Sequence, residues 1–341
     1  MLAKLIRCIL APLAALALMS GAASAAKVTI AVGGGACLCY LPTMLAKSLG
    51  EYDKAGVEVE VVDFKGGSDA LKAVIGGSAD VVSGYFDHCV NLAAKNQHLQ
   101  AFVVYDRYPG LAIVVSPKHT TEINSIKDLA GKKVGVSAPG SSTDFFVKYL
   151  LRKSGEDPTK TAVVGIGTGA TSVAAMEQNQ VDAGVLVEPA ATQLVARHPE
   201  VRILSDTRSE KDTLAVFGGA YPAGALYTTM EWVEKHPKES QALADAIVMT
   251  LQWIKTHTPE EIMAKMPDNL VGPDKALYLA ALKNTIPQFS TDGMMDPKGA
   301  EAVLNVFASS DPEIAKAKVD VSKTYTNKFA EAAGKKLGLT H

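Results

Sequence analysis

The chain has 341 residues, with 34 Lys and Arg against 36 Asp and Glu, a formal net charge of −2 and 48% hydrophobic residues. With no polybasic stretch, that balance disfavours a nucleic-acid partner, and the composition is that of a folded globular protein, not a disordered chain. In chain order, Lys4 and Arg7 precede an apolar run from Ile9 to Met19, and Ser20-Gly21-Ala22-Ala23-Ser24-Ala25 follows. The run is shorter than the roughly 20 residues of a spanning helix. Ala23-Ser24-Ala25 has the small-x-small form that a signal peptidase cuts, so residues 1–25 are expected to be a secretory leader cleaved after Ala25. Cys8 lies inside that leader and Cys37 well beyond it, so no cysteine stands at the cleavage point for lipid attachment. About 316 residues remain, more than one hydrophobic core usually supports, and two lobes are the expectation.

Short β-rich runs then alternate with helical periodicity, the pattern of parallel sheets covered by helices. The first strand is Val28-Thr29-Ile30-Ala31-Val32; a Gly33-Gly34-Gly35 turn follows, and Pro42 opens a helix that ends near Gly50. Val57 to Phe64 reads as a strand, Ser68 to Ile75 as a helix, Asp80 to Ser83 as a strand and Phe86 to Lys95 as a helix. Strands are expected around Phe102 to Tyr105 and Leu111 to Val115. A second series begins at Ser125. A short helix ends at Gly131 and feeds the strand Val134-Gly135-Val136, and Ser141 or Ser142 caps a helix running to about Ser154. Ala162 to Ile166, Ala183 to Leu186 and Val201 to Leu204 are strands, with helices at Thr171 to Asn179 and Pro189 to Arg197 between them. One more strand, Ala225 to Thr228, precedes a tail that is almost wholly helical from Met230.

The two series repeat faintly, Ala70 to Val81 lining up with Ser172 to Ala183. The strands that follow aim the loops Ser83 to His88 and Val187 to Pro189 at comparable places in two lobes, and in open α/β sheets ligands bind beyond the carboxyl ends of the strands. Two such lobes facing one another form a cleft. The division is expected to be 26–115 with 222–341 for the first lobe and 116–221 for the second.

Four stretches carry a family resemblance: Leu41-Pro42-Thr43-Met44-Leu45-Ala46-Lys47; Gly67-Ser68-Asp69-Ala70-Leu71 leading to Gly77-Ser78-Ala79-Asp80-Val81; Asp128-Leu129-Ala130-Gly131-Lys132-Lys133-Val134; and Gln180-Val181-Asp182-Ala183 leading to Glu188-Pro189. In order and spacing they resemble the ABC transporter substrate-binding proteins of the sulfonate, taurine and nitrate type, which also include binders of thiamine pyrimidine precursors. The resemblance covers nearly all of the chain beyond the leader. It implies an α/β, two-lobed periplasmic-binding-protein fold of type II, each lobe a mostly parallel sheet flanked by helices. It also implies a periplasmic monomer that captures a small-molecule ligand and docks on a permease with its ATPase, without entering the membrane and with no cofactor. Val187 stands where relatives often carry an aromatic residue, and Cys37-Leu38-Cys39-Tyr40 is not a sulfonate-binder pattern.

The candidate ligand contacts are Cys39, Tyr40, Gly67, Ser68, Tyr85, Asp87, His88, Ser141, Ser142, Thr143, Thr168 and Glu188. Ser141-Ser142-Thr143 opens a helix whose free backbone N–H groups attract anions, while the same residues read equally as a plain cap, with Asp144 completing a capping box. Gly67-Ser68 and Thr168 sit at glycine turns that let backbone N–H groups approach a ligand. Tyr85 offers a ring and a hydroxyl. Asp87 suits a helix start without any ligand, His88 a helix face, and Glu188 either a ligand amine or a backbone N–H beside the hinge; Arg107 reads as an exposed ion pair. The helix starts and hydroxyls favour a small organic anion, a sulfonate or carboxylate, whereas Asp87 and Glu188 at the ligand favour a pyrimidine-type heterocycle. No Gly-x-Ser-x-Gly elbow or His-Glu-x-x-His helix is present, and the dense cysteine motif of the thiamine-pyrimidine synthases, which share this fold by resemblance, is not present either, so a synthase-like enzyme is the lesser alternative and catalysis is not expected. Three cysteines lie beyond the leader, and the expected disulfide joins Cys89 to Cys37 or Cys39; a copper or zinc site from Cys37, Cys39, His88 and Cys89 is the alternative.

Overall fold

The computed structural model describes residues 26–339, so the leader and its cleavage site lie outside the described residues. In the first sheet β1 (Ala26–Val32) pairs in parallel with β2 (Val57–Asp63), from Ala26↔Val57 to Val32↔Asp63. The alternation read from β2 holds at its start, where Val57 and Val59 are buried and Glu58 and Glu60 exposed. β3 (Val81–Tyr85) pairs in parallel with β1, and β4 (Leu99–Val104) completes that side. The helices between them are α1 (Leu41–Leu49), α2 (Gly67–Ile75) and α3 (Asp87–Ala93). Pro42 occupies the first turn of α1, where its missing N–H costs no bond, and Gly50 ends the helix at φ 69°.

β5 (Ala112–Val115) leaves this sheet. It enters a second one with β6 (Lys133–Val136), β7 (Ala162–Gly165), β8 (Ala183–Leu186) and β9 (Ile203–Asp206), in the order β7-β6-β8-β5-β9. The boundary expected after Val115 therefore moves upstream, because β5 pairs with β8 and β9. Around this sheet lie α4 (Ser142–Lys153), α5 (Ala170–Glu177), α6 (Ala190–Arg197) and α7 (Glu210–Phe217). The chain returns through β10 (Gly224–Thr229), which inserts between β3 and β4 to give the order β2-β1-β3-β10-β4. Both sheets are mixed, and in each the odd strand is the one that has just crossed: β10 runs antiparallel to β3 and β4, and β5 to β8 and β9. A strand arriving from the other lobe starts at the cleft and runs away from it, whereas its neighbours end there.

The crossings are tied together. The amides of Tyr105 and Asp106 donate to the Gly224 carbonyl at 2.8 and 3.1 Å, and the Ala223 amide donates to the Asp106 carbonyl at 3.0 Å. The helical tail packs on the first lobe. In α8 (Pro237–Thr256) the buried Leu243, Ile247, Leu251 and Ile254 recur at helical spacing, and α9 (Pro297–Ser310) covers the face near α3. Among the described residues no helix is long and apolar enough to cross a membrane.

Candidate functional site

The carboxyl ends of β1, β3, β6 and β8 meet the starts of α1, α2 and α4 at a cleft between the lobes. Two glycines let the lobes approach. A Cβ on Gly66 would stand 2.9 Å from the Ala138 Cβ, and one on Gly34, at φ +104°, only 2.0 Å from the Thr168 Oγ1. Hydrogen bonds close the gap. Ser68 Oγ donates to the Pro139 carbonyl at 3.0 Å, Ser142 Oγ to Asp87 Oδ1 at 2.7 Å, and the Leu38 amide to the Glu188 carbonyl at 2.9 Å.

Inside the cleft lies a narrow chamber. One wall is the mouth of β6 and the first turn of α4, where three hydroxyls meet: Ser137 Oγ donates to Ser141 Oγ at 2.9 Å and approaches Thr143 Oγ1 at 3.0 Å, and Ser141 and Thr143 are 2.6 Å apart. The Ser137 amide donates to Thr143 Oγ1, which fixes that side chain. Hydroxyl hydrogens rotate, so the cluster can present donors or acceptors to a ligand. The expected capping box is absent: the Ser141 side chain caps no first-turn amide, and the Asp144 carboxylate accepts from the Gly140 amide at 2.7 Å and from Lys148. The opposite wall is Gly67 at the start of α2, Tyr85 at the end of β3, and Cys37, Cys39 and Tyr40 ahead of α1. Thr168, Leu111 and Val187 complete it with Gly33. The Tyr40 and Tyr85 rings meet edge to face, centroids 6.3 Å apart, and the Tyr85 hydroxyl donates to the Pro109 carbonyl, so Tyr85 offers a ligand its ring.

Eight of the twelve candidate residues line this chamber: Cys39, Tyr40, Gly67, Tyr85, Ser141, Ser142, Thr143 and Thr168. Four stand elsewhere, each held by other groups. Ser68 is spent on the Pro139 carbonyl. Glu188 accepts from the Arg208 guanidinium at 2.7 Å and from the amide and hydroxyl of Thr192, both at 3.0 Å. His88 lies behind Gly67, its Nδ1 3.1 Å from the Tyr227 hydroxyl and its Nε2 without a partner; burial lowers its pKa to about 4. Asp87 receives Ser142 Oγ and, at 3.3 Å, the Tyr221 hydroxyl, and burial pushes its carboxyl up to about 7 against these bonds. Arg107 pairs with Glu210 at the surface, as expected.

The disulfide is corrected too. Cys37 is bonded to Cys39, while Cys89 is a buried free thiol. Cys89 is on α3 with its side chain in the core, and it is not part of the chamber wall that the pair occupies. With those two sulfurs joined to each other, the copper or zinc set does not assemble, and among the described residues no three His, Cys, Asp or Glu form a metal-ligand group.

Gly33, Cys37, Leu111, Ser137 and Val187 also line the chamber and are not among the candidate contacts, although the sequence already aims the loop that begins at Val187 at the cleft. Ser137 directly follows β6, and the rule about strand ends that pointed to Ser83–His88 applies to it equally.

The profile of the NMT1-like family matches residues 23–267. By sequence the chain is 27% identical over 245 residues to the nitrate/nitrite binding protein NrtA of Nostoc sp., covering 66% of this chain and 53% of that protein. It is 25% identical over 227 residues to the 4-amino-5-hydroxymethyl-2-methylpyrimidine phosphate synthase of Schizosaccharomyces pombe, covering 65% and 63%. The chain thus spans just over half the length of the first relative and under two thirds of the second. Among solved structures, a protein from Bordetella bronchiseptica RB50 superposes with a TM-score of 0.89 at 39% identity, covering 92% of this chain and 98% of that one. The alkanesulfonate-binding protein SsuA from Xanthomonas axonopodis pv. citri, bound to MOPS, gives 0.68 at 18% identity and shares the two-lobed periplasmic-binding fold, with coverage of 90% and 100%.

Proposed function

The chain belongs to the NMT1-like family, and from that premise we propose that it is the periplasmic solute-binding component of an ABC importer. It is exported through a cleaved leader, captures a small organic anion between its lobes as a monomer, and delivers it to a permease and its ATPase without catalysing a reaction. The nitrate-binding relative and the alkanesulfonate-binding neighbour support the class.

The observation that carries the ligand class is the make-up of the chamber wall. Three clustered hydroxyls and the start of the twelve-residue helix α4 face it, a set of donors suited to a carboxylate or sulfonate oxygen. Neither carboxylate that argued for a heterocycle lines it, since Glu188 is neutralised by Arg208 and Asp87 turns to Ser142 and Tyr221. The synthase relative supports the alternative, a pyrimidine-type ligand.

Calorimetry with panels of aliphatic and aromatic sulfonates, carboxylates and pyrimidines decides between them. An anion is expected to bind and to lose at least about tenfold in affinity when Ser137 and Thr143 are both changed to Ala, in line with about 1.4 kcal/mol for each tenfold. A pyrimidine whose binding is lost in Glu188→Gln but kept in the hydroxyl variant refutes the anion reading, and product accumulating from any ligand refutes the assignment as a binder.

A further inference from the structure

A second, narrow pocket adjoins the first, sharing Leu111 and Ser142 with it. We propose that it binds an organic ammonium group, seated on aromatic faces beside the Asp87 carboxylate. The proposal rests on the reading of the cleft as a capture site and adds a second ligand chemistry to it.

The wall is aromatic from three directions. Phe145 and Tyr149 come from α4, Phe217 from the end of α7 and Tyr221 from the return that follows it, and Phe307 from α9. Phe217 stacks on Tyr221 with centroids 4.2 Å apart and lies 5.4 Å from Tyr149, while Phe145 meets Phe307 edge to face at 5.3 Å. Phe145, Tyr149 and Phe217 pack against the core but are only half-buried, so part of each ring stays uncovered. Ring faces carry negative potential and attract cations. Lys153 already uses the outer side of this cluster, its Nζ 5.6 Å from the Tyr149 centroid.

Asp87 supplies the charge. It is 2% exposed, and its side-chain donors, the Ser142 and Tyr221 hydroxyls, are neutral. None of the described residues lining the chamber is Lys, Arg or His. The other titratable groups near Asp87 are neutral as well: burial keeps His88 unprotonated, and it raises the pKa of Cys89 on α3 and of Tyr40, Tyr85, Tyr221 and Tyr227 around it. On α4, Asp144 is paired with Lys148, and from α9 the lining residues Val306, Phe307 and Ser310 carry no charge. An anion in the chamber would meet the ring faces and a carboxylate. An ammonium ion would complete an ion pair that burial otherwise disfavours, and below about pH 7 its binding would release a proton from Asp87.

The test is calorimetry on the protein with tetramethylammonium and 2-phenylethylammonium chloride, at about pH 8 and about pH 6, with Asp87→Asn and Phe217→Leu as variants. Saturable binding is expected at the higher pH, weakening up to about tenfold per pH unit below pH 7, lost in Asp87→Asn and several-fold weaker in Phe217→Leu. Asparagine keeps hydrogen-bonding partners for Ser142 and Tyr221, and the Phe217 variant reads the same chamber without touching the carboxyl. Failure of both probes to saturate, or binding that survives Asp87→Asn unchanged, overturns the proposal. A sulfonate or carboxylate found by the panel while both ammonium probes stay silent overturns it too and leaves the capture reading standing. Ammonium binding with no anion found supports it and removes the anion reading alone.

Discussion

Asp87 and His88 are adjacent, almost fully buried, and shifted in opposite directions. Asp87 keeps its proton in the native state up to about pH 7 where an unfolded Asp has lost it near 4, so its contribution to stability falls as pH rises between those values. His88 stays neutral down to about pH 4 where an unfolded His takes a proton below about 6.5, so its contribution falls as pH drops through that range. Between about pH 4 and 6.5 the two slopes oppose and largely cancel: folding in effect passes one proton from the histidine to its neighbour. Asp87→Asn is therefore expected to be more stable than the parent above about pH 7, by an amount on the order of a few kcal/mol. It should also become less stable on acidification from pH 6.5 to 4, where the parent is nearly flat. Denaturant titrations at several pH values check this, and a variant whose stability tracks the parent across the whole range would show that Asp87 titrates normally. Neither shift was legible in the sequence, because both arise from burial under α4, α9 and Tyr221, which are remote in the chain.

At the scale of elements, the lobes touch where glycines stand. Gly66→Val is expected to hold the cleft ajar, since a side chain there meets Ala138 and Ser137 backbone atoms that cannot move aside. Ligand affinity should drop at least about tenfold, and solution scattering should give a larger radius of gyration in saturating ligand than the parent shows; an unchanged radius and affinity would mean the lobes close elsewhere. The Cys37–Cys39 bond closes so short a loop that the chain-entropy argument assigns it only about 1–2 kcal/mol. Mapping without reduction should find these two linked and Cys89 unreactive until the protein unfolds. Strands and helices were largely legible from periodicity: β8 has the bounds read from the sequence, and α4 starts and stops within a residue of them. The disulfide was misread because nothing in the spacing of the three cysteines shows that Cys89 is buried in the core. The chamber was legible where a residue directly follows a strand or opens a helix. It was opaque at Leu111, an apolar residue that becomes a wall only when the lobes meet.

For the whole molecule, two lobes followed from length and from the restart of the α/β alternation, but the membership of β5 did not. Leu111 to Val115 is as apolar as any strand in either sheet, and only pairing with β8 and β9 assigns it. The place of β10 between β3 and β4 has a consequence for the order in which the protein is made. All the strands of the second lobe lie between residues 112 and 206, so that sheet can form as soon as those residues emerge. β4 must wait, because its strand partner β10 begins at Gly224 and the segment that flanks it, around Thr324 to Thr326, comes later still. Leu99-Gln100-Ala101-Phe102-Val103-Val104 is thus an apolar strand with no partner while more than a hundred residues are synthesised, and unpaired apolar edges are where chains misassociate. A chain ended at residue 222 is expected to keep the second lobe resistant to protease while β1 to β4 are digested, as mass spectrometry of the fragments would show. The later-made lobe sheet is complete first, and the amino-terminal one is finished only by what comes after it.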